Sequence, residues 1–152
     1  MTVERIIDAP VERVWSIFTD VTGRPQWLST VESVEPLTSG AFGRGTAWRE
    51  TRLVAEDVPV VEELRVVDVD PPHSVTLASP GIGADYRLTY TFTRLNERTL
   101  ARIVLCGTPQ GAASRVLAVL LGGLAARTVE GALRRDLEAL AVAAATRPAA
   151  AA

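Results

Sequence analysis

Hydrophobic and polar positions change their period twice along the chain. The segment Val3 to Ala9 is rich in β-branched residues and predicts a strand that ends before Pro10. Proline suits the first turn of a helix, and the apolar residues that follow share one helical face: Val11, Val14, Trp15 and Phe18. A second short helix is predicted around Pro25 to Ser29, so the amino end reads strand, helix, short helix.

From Val31 to Thr108 the period becomes two, and turn residues recur about once every dozen residues. Short turns between successive strands indicate an antiparallel meander, because parallel strands need long crossovers. The clearest strand is Asp85 to Leu95, whose apolar face is predicted to look toward the last helix. That face should be less exposed than Arg87, Thr89 and Thr91, and it consists of Tyr86, Leu88, Tyr90 and Phe92.

The carboxyl end returns to a helical period. A long helix over residues 125–144, about 30 Å in length, is predicted from one apolar stripe: Val129, Leu133, Leu137 and Leu140. The preceding segment, Val116 to Ala126, is apolar around its whole circumference, and its Gly122-Gly123 pair predicts a poor helix and a hinge. This segment is open to two interpretations, a mobile gate or dimer contact on the one hand and simple burial on the other.

These elements predict an α+β fold, in which a curved antiparallel sheet of about six or seven strands wraps around the long C-terminal helix. Two short helices follow the first strand. We expect one domain over residues 1–146 and a disordered, Ala-rich tail over 147–152. A curved sheet wrapped around a helix leaves a space between the two, and that space is the natural place for a ligand.

Composition narrows the function classes. The 152 residues carry a net charge of −2, and the basic residues, all Arg, alternate with acids, so binding to nucleic acid is not expected. One Cys and one His exclude a disulfide framework and the usual transition-metal sites, and we expect neither a metal nor an organic cofactor. The charged start carries no targeting pattern, and the longest apolar run is too short to span a membrane. A cytoplasmic location is therefore expected.

One strand carries candidate polar chemistry. Trp48, Glu50 and Arg52 share a strand face by their spacing, and either Glu62 or Glu63 on the next strand can oppose it. If the face points outward, these charges form an ordinary solvated lattice of little energetic worth. If it points inward, they form a buried network of the kind that marks a polar ligand group or a proton transfer. The tryptophan favours the inward orientation.

Three aromatic residues are candidate ligand contacts. A phenol of Tyr86 or Tyr90 on the inner face could orient a ligand oxygen or donate a proton, or it could be a core tyrosine bonded to backbone. Trp27, after a turn, belongs either to the core or to the cavity mouth.

Asp136 on the last helix lies beside Arg134 and Arg135. It is predicted to be a surface partner in ion pairs along that helix.

The order of the predicted elements and several short residue motifs resemble those of a known superfamily. The resemblance rests on the opening Asp8 to Trp15, on Trp27 after Gly-Arg-Pro, on Gly45 to Arg52, and on the final helix with Asp136-Leu137. Over residues 2–145 the chain resembles the START-like polyketide cyclase/dehydrase superfamily, the helix-grip or pollen-allergen fold, and the middle segment fits a bacterial subgroup. The resemblance implies a cavity, but no catalytic residue set is shared by the polyketide cyclases, lipid carriers, hormone receptors and cochaperone-like domains of that superfamily.

Three functions follow as hypotheses. The first is a carrier or binding protein for a small hydrophobic ligand, aromatic or polycyclic. The second is a cyclase/dehydrase-type enzyme in which a tyrosine, with Glu50 or Arg52, assists enolisation and water loss. The third is a protein-interaction module that uses residues 116–126, where a homodimer could also form. The candidate ligand-binding residues are Trp27, Trp48, Glu50, Arg52, Tyr86, Tyr90, Leu120 and Leu124.

Overall fold

The computed structural model describes the backbone of residues 1–54, 58–80 and 84–145, and the side chains of the same residues except 54, 84 and 112–126. Within these ranges the strands form a single antiparallel sheet in the order β1-β7-β6-β5-β4-β3-β2. Its members are β1 (Thr2–Ile7), β2 (Val31–Pro36), β3 (Ala47–Val54), β4 (Val58–Asp70), β5 (Ser74–Pro80), β6 (Ala84–Leu95) and β7 (Arg98–Pro109).

Two short helices follow β1, and one long helix ends the described chain. They are α1 (Val11–Thr19), α2 (Arg24–Trp27), which follows a 3-10 turn at Val21–Gly23, and α3 (Ala112–Ala145). The predicted α+β helix-grip architecture is confirmed. No helix in the described ranges is long and apolar enough to cross a membrane.

The start of α3 corrects the sequence prediction. The helix begins at Ala112, so the segment Val116 to Ala126 forms its first part, and the backbone stays helical through Gly122-Gly123. Each glycine costs about 1 kcal/mol relative to alanine, but the flanking Ala and Leu residues are strong helix formers that offset this cost. The side chains of this segment lie outside the described residues. The predicted gate and the predicted dimer contact depend on those side chains and therefore also fall outside the described part of the chain.

The carboxyl half of α3 closes one end of the curved sheet. Leu133, Leu137 and Leu140 are buried there, as predicted, against β1, β7 and α1. Arg13 of α1 donates hydrogen bonds to carbonyl groups in the last turn of α3, which would otherwise lack partners. The prediction that Val129 belongs to this buried stripe is wrong. Val129 lies one turn before Leu133, beyond the packed part of the helix, and is exposed.

The inner face of β6 follows the predicted register along half of its length. Tyr90 and Phe92 are buried and pack on Phe18 of α1, whereas Arg87 is exposed. Tyr86 does not share this burial, since 38% of it is exposed. Its cross-strand neighbour on β7 is Gly107, which has no side chain to cover the ring.

Candidate ligand-binding site

Strand β3 turns three of the candidate residues inward. Trp48 and Glu50 are completely buried, and Arg52 is mostly buried, so the inward orientation left open by the sequence is the observed one. In the pairing of β3 with β4, Glu62 stands directly opposite Glu50. Glu63, the next residue, points to the outer face and pairs with an outer-face arginine.

Glu50 is the centre of a buried ionic network. Its Oε2 accepts hydrogen bonds from Arg24 Nε at 2.8 Å and from Trp48 Nε1 at 3.1 Å. Its Oε1 accepts a hydrogen bond from Arg52 Nε at 2.8 Å. The carboxylate has no exposed surface. It therefore holds the two arginines in place and has no surface with which to touch a ligand.

Arg24 was missed in the sequence analysis. Its guanidinium carbon lies 5.8 Å from the ring centre of Trp27 and 5.4 Å from that of Trp48, so the cation is held near two indoles. The residue is 2% exposed, on a helix of four residues. No periodic pattern marks one arginine in such a short element, and Arg24 entered the sequence analysis only as part of the Gly-Arg-Pro segment before Trp27.

Arg52 connects the sheet to the last helix. Its Nη1 donates to Asp136 Oδ2 at 3.1 Å, and the pair is mostly buried. The prediction that Asp136 is a surface partner of its neighbours in sequence is wrong, because the inner face of β3 brings a guanidinium to it from 84 residues away. This ion pair spans the space between sheet and helix.

Glu62 is the most exposed acid of the network. Its Oε2 lies 3.8 Å from Arg52 Nε, an ion-pair distance, and its Oε1 accepts a hydrogen bond from Ser79 Oγ at 3.5 Å. Its side chain is 38% exposed. Glu62 therefore stands where the buried network meets the accessible part of the concave face.

Burial and the two guanidinium groups set the protonation of this network. Burial alone would raise the pKa of Glu50, but Arg24 and Arg52 outweigh it and hold that pKa at about 2. Burial raises the pKa of Asp136 in spite of Arg52, and it raises the pKa of Glu62 as well. Burial, reinforced by the Asp136 carboxylate, also raises the pKa of the Tyr90 phenol, which therefore remains protonated at neutral pH.

A small cavity adjoins the network between α1, α2, α3 and the sheet. About 10 Å³ of it is open to the centre of a water molecule, which is room for about one water. The Nε1 of Trp27 is buried and has no hydrogen-bond partner among the described residues. The cavity is lined by Phe18, Arg24, Trp27, Leu28, Tyr90, Ile103, Asp136, Leu137 and Leu140.

The structure thus brings together five of the eight predicted ligand-binding residues. Trp27 and Tyr90 line the cavity, and Trp48, Glu50 and Arg52 belong to the ionic network beside it. Tyr86 belongs to neither; it is 38% exposed, and its cross-strand neighbour on β5 is Ser79, which donates to Glu62. The side chains of Leu120 and Leu124 lie outside the described residues.

Comparison with known proteins agrees with this architecture. A family model described as polyketide cyclase / dehydrase and lipid transport matches residues 1–145. The chain belongs to this family. A search of curated proteins finds no match to the chain.

Solved structures resemble this polyketide cyclase/dehydrase family member over nearly its whole length. The protein TTHA0849 from Thermus thermophilus is 25% identical, with a TM-score of 0.73 and coverage of 95% of each chain. The Zhui aromatase/cyclase from a Streptomyces species is 20% identical, with a TM-score of 0.79 and coverage of 99% of this chain and 96% of that one. Truncated norcoclaurine synthase from Thalictrum flavum is 14% identical, with a TM-score of 0.76 and coverage of 97% and 94%. At these identities the aromatase/cyclase and the synthase show a shared fold alone.

Proposed function

We propose that this protein binds a small hydrophobic ligand, with a ring system and at least one oxygen, in the space between the concave sheet and α3. The observation that carries the proposal is the indole N–H of Trp27, buried beside the cavity without a hydrogen-bond partner in the described chain. A buried donor without an acceptor costs about 1–3 kcal/mol. A hydrogen bond from this N–H to a ligand oxygen, or to a water that occupies the same position when no ligand is bound, offsets that cost.

The apolar part of the ligand has a surface to lie on. On the inner face, Leu88 and its cross-strand partner Leu105 are only partly buried, although each packs against the core. Beyond them Tyr86 presents an exposed ring. Partly exposed apolar side chains on a concave surface, next to a few polar groups, are typical of small-molecule sites. We place the ring system here and the oxygen toward Tyr90 and Trp27.

The Tyr90 phenol provides a test of this placement. Its hydroxyl has no hydrogen-bond partner among the described residues, and it stays protonated, so it can donate to a ligand carbonyl. Tyr90→Phe should weaken the binding of naphthyl methyl ketone about two- to twelvefold, the value of one hydrogen bond. Binding is measured by the quenching of tryptophan fluorescence.

Ethylnaphthalene is the matched control ligand, because it keeps the shape of the ketone and lacks the oxygen. Its affinity should be the same for the wild type and for Tyr90→Phe. Failure of both compounds to quench the wild-type protein would contradict the proposed function. An equal loss of affinity for the two compounds would show that the substitution disturbs packing and that Tyr90 does not contact the oxygen.

An enzyme of the cyclase type is the second candidate, and one observation favours it. Asp136 borders the cavity together with Tyr90, and its raised pKa makes it a stronger base than an ordinary aspartate. Such a pair could take a proton from the carbon next to a ketone while the phenol donates to the oxygen, which gives an enol. Glu50 is unsuited to this role, because its pKa of about 2 makes it a weak base.

Hydrogen exchange separates the two candidates. An enzyme should accelerate the exchange of the methyl protons of naphthyl methyl ketone in D₂O, followed by NMR, and Asp136→Asn should lower that rate at least about tenfold, as expected for loss of a general base. A carrier should bind the ketone and leave its exchange rate at the buffer value. Circular dichroism of the variant checks that the fold is kept.

A further inference from the structure

The charges around the site are not balanced. In the described part of the chain, two guanidinium groups, Arg24 and Arg52, meet three carboxyl groups, those of Glu50, Glu62 and Asp136. Arg24 pairs with Glu50, and Arg52 already faces all three acids. When every group is ionised, one carboxylate is left over.

The surplus acceptor lies on Glu62. The carboxylate of Glu50 receives short hydrogen bonds on both oxygens, and both oxygens of Asp136 receive hydrogen bonds from Arg52. Glu62 receives a long hydrogen bond from Ser79 on one oxygen. Its other oxygen, Oε2, has an ion-pair contact at 3.8 Å and no hydrogen bond within the described residues. A carboxylate oxygen can accept two hydrogen bonds, so this atom has unused capacity.

The position of Glu62 makes that capacity available to a ligand. Its contacts with Arg52 and Ser79, both on the inner face, show that the carboxyl group lies on the concave side of the sheet. It is also the acid of the network with the largest exposed fraction. A molecule that lies against Leu88 and Tyr86 on β6 would therefore have the carboxyl group of Glu62, two strands away on β4, beside it.

We propose that Glu62 is a specificity-determining residue of this site, which selects neutral ligands that carry a hydroxyl group and rejects ligands that carry a carboxylate. This inference rests on the proposed function. A ketone oxygen only accepts and therefore suits the donors Tyr90 and Trp27, whereas a ligand hydroxyl can also donate, and it donates to Oε2 of Glu62. A ligand carboxylate meets a site that already holds more acids than arginines, and like charges brought together without water between them oppose binding.

Two ligands with one ring system test the proposal. We expect naphthylmethanol to bind the wild-type protein about tenfold or more tightly than naphthylacetate at neutral pH, by the quenching of tryptophan fluorescence. In Glu62→Gln the surplus charge is gone and the shape is kept, so the ratio of the two affinities should fall below about threefold. The fall in this ratio should come both from weaker binding of the alcohol and from tighter binding of the carboxylate. Loss of folding would weaken the binding of both compounds and cannot produce this result.

Glu63→Gln is the matched control. It removes the same charge one residue away, on the outer face of the same strand, and should leave the ratio at the wild-type value. Equal affinities of the wild type for the alcohol and the carboxylate would overturn the inference about Glu62, and so would an unchanged ratio in Glu62→Gln. If neither these two compounds nor naphthyl methyl ketone binds, the proposed function itself falls.

Discussion

Leu137→Ala should lower the free energy of unfolding by about 2–5 kcal/mol, because it removes a buried leucine side chain and leaves a cavity that the surrounding core fills only in part. Leu137 is 2% exposed and lies where α3 packs against the sheet, at the wall of the small cavity. The void left by the substitution would join that cavity, which favours the upper part of the range. Urea denaturation followed by circular dichroism measures the change.

Val142→Ala is the control for that substitution. Val142 lies five residues further along the same helix and is 61% exposed, so its truncation should change the free energy of unfolding by less than about 0.5 kcal/mol. A loss under about 1 kcal/mol for Leu137→Ala would contradict the packing of α3 described above.

The periodic part of the fold could be read from the sequence. Alternation along β6 identified the inner face that carries Tyr90 and Phe92, and the helical period identified Leu133 and Leu137 as the buried side of α3. Period and burial are linked directly, because a strand or helix with one apolar side must cover that side. The predictions failed where burial depends on a partner from elsewhere. The exposure of Tyr86, for example, follows from Gly107 on the neighbouring strand.

The polar site could be predicted only in part, for a related reason. The spacing of Trp48, Glu50 and Arg52 placed them on one face, and their common inward orientation was one of two stated alternatives. Their partners could not be found by spacing. Arg24 reaches Glu50 from a short helix 26 residues away, and Asp136 reaches Arg52 across 84 residues. Such contacts depend on the curvature of the sheet and the tilt of α3, which local patterns do not determine.

The ionic network also makes a large energetic prediction. Glu50→Gln should lower the free energy of unfolding by about 3–5 kcal/mol, because it leaves the buried charge of Arg24 and the mostly buried charge of Arg52 without their shared carboxylate. Arg24 is only 2% exposed, so bulk water cannot replace the lost carboxylate. Urea denaturation at neutral pH measures the effect. Glu63→Gln, on the outer face, should change stability by less than about 1 kcal/mol.

The pH dependence of this difference identifies its cause. The pKa of Glu50 falls from 4.5 to about 2 on folding, so its contribution to stability is fully present above pH 4.5 and is lost as the pH falls through about 2. The raised pKa values of Asp136 and Glu62 act in the opposite direction, because protons bound in the folded state favour folding as the pH falls. Both proteins keep Asp136 and Glu62, so the difference between them reflects Glu50. The gap in the free energy of unfolding between the wild type and Glu50→Gln should therefore narrow below pH 4.5. A gap that stays constant down to pH 2 would show that the substitution acts through packing, and that the charge of Glu50 does not hold the two arginines beside the proposed ligand site.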